Sequence, residues 1–139
     1  MDERHIGYLL KVITDRIKVK ADTELKSHNL TLTQSRVLAY LNRRSGQATQ
    51  KEIEDYLEVS HPTVVGVVYR MEQNGFLHSW FDLQDKRNKM VELTDMALKI
   101  CREMDRMISA QEEKMLRSLS KEQTAELEKT LMVIYKNLD

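Results

Sequence analysis

Apolar side chains recur at helical spacing from the beginning of the chain. Over residues 3–25, Ile6, Leu9, Leu10, Ile13 and Ile17 share one stripe, while Lys11, Arg16, Lys18 and Lys20 lie mostly off it, which predicts an amphipathic helix. The stripe breaks over 27–32. Thr33 is placed to cap a second helix running to about residue 44, with Val37, Leu38 and Leu41 inward and Ser45-Gly46 ending it. Thr49 and Glu52 have the spacing of a reciprocal cap and open a short helix that turns Ile53, Tyr56 and Leu57 to one side. Ser60 caps the next helix. Pro62 is tolerated in its first turn, Val64, Val68 and Met71 form its inward stripe, and Asn74-Gly75 closes it.

The period then changes from that of a helix to that of a strand. Residues 78–81 and 89–93 are short runs rich in aromatic and branched side chains on either side of a polar turn at 82–88, which predicts a hairpin. Thr94-Asp95 caps a long helix carrying Ala97, Ile100, Cys101, Met104, Met107, Ile108, Met115 and Leu116. Ser120 and Gln123 repeat the reciprocal-cap spacing and open a last helix with Leu127, Leu131, Ile134, Tyr135 and Leu138 inward. The fold class expected is mainly α with a small β-hairpin wing.

Four helices, a hairpin and two more helices contain the order of a winged helix-turn-helix, in which the last helix before the hairpin enters a DNA major groove. With 64, 68 and 71 inward, Ser60, His61, Thr63, Val67 and Arg70 are expected outward. Short hydroxyls bond phosphates or base edges, a valine can meet a thymine methyl, and Arg70, near the far end, suits a phosphate. Lys86, Arg87 and Lys89 cluster at the hairpin tip, where an arginine on a stiff turn suits the focused negative potential of a narrow minor groove. Asp85 beside them is placed to close the turn and hold Arg87.

Composition narrows the alternatives. At 139 residues, 41% hydrophobic and 32% charged, the chain has the make-up of one globular domain, and its four glycines and one proline leave no room for a linker tract. No run approaches the 18 apolar residues of a membrane span, and no leader-like segment opens the sequence, so a soluble, cytoplasmic protein is expected. Basic and acidic residues balance at 22 each, and bulk charge therefore does not by itself suggest nucleic acid. The distribution is uneven, with nine basic and five acidic side chains over 1–48 and one against four over 49–59.

The single cysteine excludes an internal disulfide, and the four histidines show no metal-ligand spacing with one another or with Cys101, so neither a metal nor another cofactor is expected. Cys101 sits on an apolar helix face and the methionines at 96, 104, 107, 115 and 132 read as adaptable core. No nucleophile–base arrangement, phosphate loop or HExxH pattern is present, which argues against an enzyme.

Asp85-Lys86-Arg87-Asn88 followed by Val91-Glu92-Leu93-Thr94 resembles the D-x-R…L-T wing signature of the MarR (multiple antibiotic resistance regulator) family. Leu32-Thr33-Gln34, Ser60…Thr63-Val64 and Arg70-Met71-Glu72…Gly75-Phe76 fall where that family has counterparts, so the likeness covers essentially the whole chain. It implies a homodimeric transcription regulator, a repressor on a palindromic operator in double-stranded DNA. The winged lobe would lie over 30–94 and the dimerisation helices over 1–26 and 95–139. Ser60, His61, Thr63, Val64 and Val67 would read the major groove, Arg70 would hold phosphate, and Arg87 would enter the minor groove with Lys86, Asn88 and Lys89 beside it. The apolar stripes of the first and last two helices agree, since a chain this short has little other mass to cover them.

The resemblance also implies release by a small lipophilic, often phenolic, effector bound between the lobe and the dimer helices, for which Ile13, Ile17, Tyr40 and Met104 are apolar candidates. The family's cysteine-based redox branch carries its thiol near the N-terminus, where this chain has none. Two departures stand in the recognition helix. Val65 replaces the usual Ser or Thr, and Gly66 replaces a frequent basic residue, a change that either permits close approach of the backbone to DNA or is neutral. The alternatives from other classes are a winged helix used for protein–protein contact and a ligand or redox sensor with weak DNA affinity. Carboxylates such as Asp55 and Glu58 neutralising the recognition face would favour the first, and an occupied pocket or a modified Cys101 the second.

Overall fold

The computed structural model describes residues 4–139, so Glu3, the expected start of the first helix, lies outside the described residues. Its elements, in order, are α1 (Ile6–Ser27), α2 (Leu32–Arg43), β1 (Gln47–Thr49), α3 (Gln50–Leu57), α4 (His61–Gln73), β2 (Leu77–Phe81), β3 (Lys89–Leu93), α5 (Asp95–Met115) and α6 (Lys121–Asn137). The chain forms two compact units, one ending at Met104 and the other comprising residues 105–139.

The first unit is built around one apolar core. Val37, Leu38 and Leu41 of α2 meet Ile53 of α3, Val64, Val68 and Met71 of α4, and Val91 of the sheet, all essentially inaccessible to water. Each such side chain contributes about 1.5–3 kcal/mol relative to exposure. Leu25 from the end of α1, and Ala97, Ile100 and Cys101 from the start of α5, close the same core. Cys101 is therefore a packed side chain, its Sγ 4.0 Å from the Leu38 carbonyl oxygen.

Two expectations shift. α2 is capped by Thr31 rather than Thr33: the Thr31 Oγ1 accepts from the Gln34 N–H at 3.1 Å and its own N–H donates to Gln34 Oε1 at 3.1 Å. That reciprocal cap satisfies two helix-end donors at once, and it places Thr33 inside the first turn. The sheet has a third strand. β1 pairs antiparallel with β3 (Ala48 opposite Val91), on the edge away from β2, giving the order β1-β3-β2. Gln47-Ala48-Thr49 alternates with Ala48 buried, but three residues are too short a run to predict a strand.

The caps at Thr49–Glu52, Ser60 and Ser120–Gln123 form as expected. The Glu52 carboxyl is held below its ordinary range, first by the Thr49 N–H and then by the Thr49 hydroxyl and Arg44, against the opposing effect of burial. Its stabilising contribution is present above the ordinary carboxylate range and is lost as pH falls through the lowered value. Beside it, Tyr40 and Tyr56 stack with centroids 4.3 Å apart. Arg43 donates to the Tyr56 hydroxyl at 3.0 Å, a hydrogen bond that lowers the phenol from its ordinary value.

The end of α4 is fixed by Gly75 at φ +83°. The Phe76 N–H reaches back to the Met71 carbonyl and the Gly75 N–H to that of Glu72, the paired closure that favours glycine. Thr94 joins this helix end to α5: its hydroxyl donates to the Gly75 carbonyl at 2.6 Å and accepts from the Ala97 N–H at 3.2 Å. Thr94→Val keeps the shape and removes both bonds, so urea denaturation should show a loss of about 1–2 kcal/mol, with Thr94→Ser recovering most of it.

The methionine expectation is corrected. Of those five, Met96, Met115 and Met132 are exposed, Met107 is half-buried, and Met104 packs against the lobe's core. Ile6, Leu9 and Ile13 on α1 are likewise exposed within the single chain. The stripe predicted to face inward on α6 is exposed at Leu127, Leu131, Tyr135 and Leu138, and α6 has no buried residue.

Candidate nucleic-acid interface

α3 and α4 meet in a tight turn. Glu58 adopts a left-handed backbone at φ 55°, its N–H closing on the Glu54 carbonyl, and two residues later Ser60 starts α4. The Ser60 Oγ accepts from the Thr63 N–H and lies 2.8 Å from the Thr63 Oγ1, so both hydroxyls are engaged at the helix start while remaining exposed.

The inward stripe of α4 is wider than the spacing at 64, 68 and 71 implied. Val67 is buried together with Val64, Val68 and Met71, so neither Val64 nor Val67 faces a groove, contrary to expectation. The pattern i, i+3, i+4, i+7 explains it: with four valines between 64 and 68, position 67 falls on the stripe and position 65 off it. At 100° per residue the side opposite the core is centred on Pro62, Gly66, Tyr69 and Gln73, flanked by Thr63 and Arg70 on one side and Val65 on the other. Sequence reasoning named Val65 only as a departure and missed Tyr69; the two are 40% and 59% exposed. Drawing the helix about its full stripe would have found them. Val65, not Val67, is the valine that this outward face exposes.

Gly66 sits at the middle of this face. A Cβ there would lie 3.5 Å from the Arg70 Nη2, an ordinary contact, so alanine fits. Gly66→Ala is expected to raise stability by about 0.5–1 kcal/mol through helix propensity. Because it thickens the centre of the outward face, it should at the same time weaken DNA binding. Thermal melts and anisotropy titrations on the same preparation check both, and unchanged affinity places Gly66 outside the contact.

The wing turn is built on Asp85. Its Oδ1 accepts from the Arg87 N–H at 3.1 Å and from the Arg87 Nε at 3.2 Å, and its backbone carbonyl accepts from the Asn88 N–H at 3.0 Å. The Asn88 side chain reaches the other carboxylate oxygen at 3.5 Å. Arg87 is thereby steered while its side chain stays 92% exposed. Lys86 is exposed beside it, whereas Lys89 is drawn to α4, its Nζ 3.8 Å from the Glu72 carboxylate, which also accepts from Ser79.

A groove of about 420 Å³ between the wing and the helix-turn-helix is lined by Gln50, Lys51, Glu54, His61, Arg87, Asn88 and Lys89. It brings the wing and the N-terminus of α4 onto one face. Lys51 there is paired with Asp55 at 3.2 Å.

The four effector candidates are placed differently from one another. Ile13 is exposed on α1, Ile17 is half-buried, Met104 packs on the core, and Tyr40 is engaged with Tyr56 under the Arg44 guanidinium.

A model of the MarR family matches residues 28–87. Over 111 residues the chain is 37% identical to the HTH-type transcriptional regulator YwoH of Bacillus subtilis (strain 168), covering 79% of this chain and 80% of that protein. The chain belongs to the MarR family. Members are transcription regulators, and a second relative, the HTH-type transcriptional repressor IacR of Pseudomonas putida, is 25% identical over 132 residues, 95% of this chain and 78% of that one. The fold of this MarR-family chain matches that of S. aureus MepR in a DNA complex, with a TM-score of 0.80 and 27% identity over 96% of this chain and 99% of MepR. MepR bound to ethidium bromide matches over the whole of both chains, with a TM-score of 0.77 and 26% identity. No helix among the described residues is long and apolar enough to cross a membrane.

Proposed function

We propose that this MarR-family regulator is a homodimeric repressor that binds a palindromic operator in double-stranded DNA. The observation that carries the proposal is the single face shared by the α4 N-terminus and the wing, with Arg87 extended from it. The lobe over 30–94 presents that face, and the helices over 1–26 and 95–139 pair two subunits. Two copies of α4 then enter successive major grooves about 34 Å apart, and each Arg87 reaches an adjacent minor groove. Thr63, Val65, Gly66 and Tyr69 meet base edges, and Arg70 and Lys86 meet phosphates. Action on DNA places the protein in the compartment that holds the DNA.

Release by a small lipophilic or phenolic molecule belongs to the same proposal. MepR with ethidium supports the class, and Ile13, Ile17, Tyr40 and Met104 remain the candidates to line its site. Such a ligand acts by favouring a subunit arrangement whose half-site spacing does not fit DNA.

The test is binding of the purified protein to genomic fragments, beginning upstream of its own gene, across a range of salt. Tight binding that falls steeply with salt and protects one palindrome supports the proposal. Weak, sequence-blind binding overturns it and directs the search to a protein partner.

A further inference from the structure

His61 and Glu54 form a pair that helix capping and core packing do not require. Glu54 belongs to α3, and its side chain is only 10% exposed, yet its Oε2 lies 3.0 Å from Nδ1 of His61, the first residue of α4. The imidazole itself is 65% exposed and lines the groove between the helix-turn-helix and the wing. With Glu54 as the acceptor of this contact, hydrogen lies on His61 Nδ1. The other nitrogen, Nε2, is then defined by elimination. It is a lone-pair acceptor when the ring is neutral and an N–H donor when the ring is protonated.

The other charged groups of the groove are Lys51, which pairs with Asp55, Arg87, which is held through Nε by Asp85 and is 92% exposed, and Lys89, which lies beside Glu72.

We propose that Glu54 is a positioning residue for DNA binding, holding His61 so that its Nε2 contacts a backbone phosphate only when the ring takes up a proton. A phosphodiester oxygen accepts and never donates, so a neutral His61 presents it with a lone pair against negative charge, and a protonated one presents a charge-assisted donor. Each subunit on DNA thus binds one proton from solvent, and affinity falls as pH rises. The inference rests on the DNA-binding proposal and adds a proton to it.

Operator affinity measured at constant ionic strength from pH 6 to pH 8 is expected to fall about ten- to hundredfold for a dimer taking up one proton per subunit. His61→Ala, a change at an exposed side chain, should abolish most of that dependence. His78→Ala, on the sheet, should leave the dependence intact. Glu54→Gln should weaken binding at pH 6 more than at pH 8. Because Glu54 is largely buried, the DNA-free protein gives a second readout: long-range nitrogen spectra at pH 8 should show hydrogen on His61 Nδ1. Wild-type affinity that is salt-dependent but the same at both pH values, a pH dependence retained in His61→Ala, or hydrogen on Nε2 overturns the inference while the DNA proposal stands. Absence of salt-dependent DNA binding at every pH overturns the DNA proposal and this inference with it.

Discussion

Arg87→Ala is expected to weaken operator binding about ten- to hundredfold per half-site contact, the range for loss of a well-placed arginine of 1–3 kcal/mol. The side chain is almost fully exposed and contributes nothing to the core, so the variant should melt at the wild-type temperature. Its effect must then come from the bound state. The exposed pair with Asp85 adds little stability, but it fixes direction: the carboxylate takes both the backbone N–H and the Nε of Arg87, leaving the outer nitrogens of the guanidinium for DNA. Asp85→Ala should therefore cost affinity too, by a smaller factor, because Arg87 remains but must be ordered on binding.

Lys86→Ala provides the contrast. A phosphate-level contact lowers affinity for every sequence alike and reduces the salt slope by about one unit, whereas loss of a minor-groove arginine also reduces the preference for narrow, A·T-rich flanks. Anisotropy titrations over a range of salt, on operators with A·T-rich and G·C-rich flanks, separate the two. An Arg87→Ala protein with wild-type affinity on both would remove the wing from the interface.

What the chain discloses by itself depends on where the determining interaction lies. Hydrogen bonds that close within three or four residues were legible: Thr49 with Glu52, Ser60 with Thr63 and Ser120 with Gln123 each satisfy helix-end donors locally. The wing was legible for the same reason, since Asp85 bonds residues two and three positions away. β1 was not, because its three residues are held by β3 more than forty positions later. Val67 was misplaced because a run of valines fits more than one stripe, and only packing against the lobe decides which of them is inside. His61 was legible as an outward side chain at the helix start, but its tie to Glu54 crosses a turn that no spacing rule describes.

The exposed stripes mark the other limit of the sequence, and they carry the second large prediction. The periodicity of α6 predicts a buried face, yet within one chain that helix buries no residue. Leu127, Leu131 and Tyr135 on its apolar side are exposed, and the homodimer proposed above would cover them with a second copy of the chain. Leu127 and Leu131 lie one turn apart on that side, and α1 independently leaves Ile6, Leu9 and Ile13 exposed. In the proposed homodimer a second copy would bring the same stripes, the self-complementary condition of a two-fold interface.

Leu131→Asp places a charge in that contact without touching the core of the first unit. Desolvating an unpaired carboxylate costs several kcal/mol, enough to convert a micromolar-stable dimer to monomer. The monomer retains one recognition helix and one wing but loses the effective concentration that links two half-sites. Operator affinity should then fall by a factor of about 10² to 10⁴. Light scattering after size exclusion reports the assembly, circular dichroism checks that the winged lobe is still folded, and a half-site oligonucleotide, which needs only one subunit, should be bound by variant and wild type alike. A Leu131→Asp protein that stays dimeric at micromolar concentration puts the interface elsewhere. One that becomes monomeric yet binds the full operator as tightly as wild type removes the need for a palindrome and leaves each winged lobe acting alone.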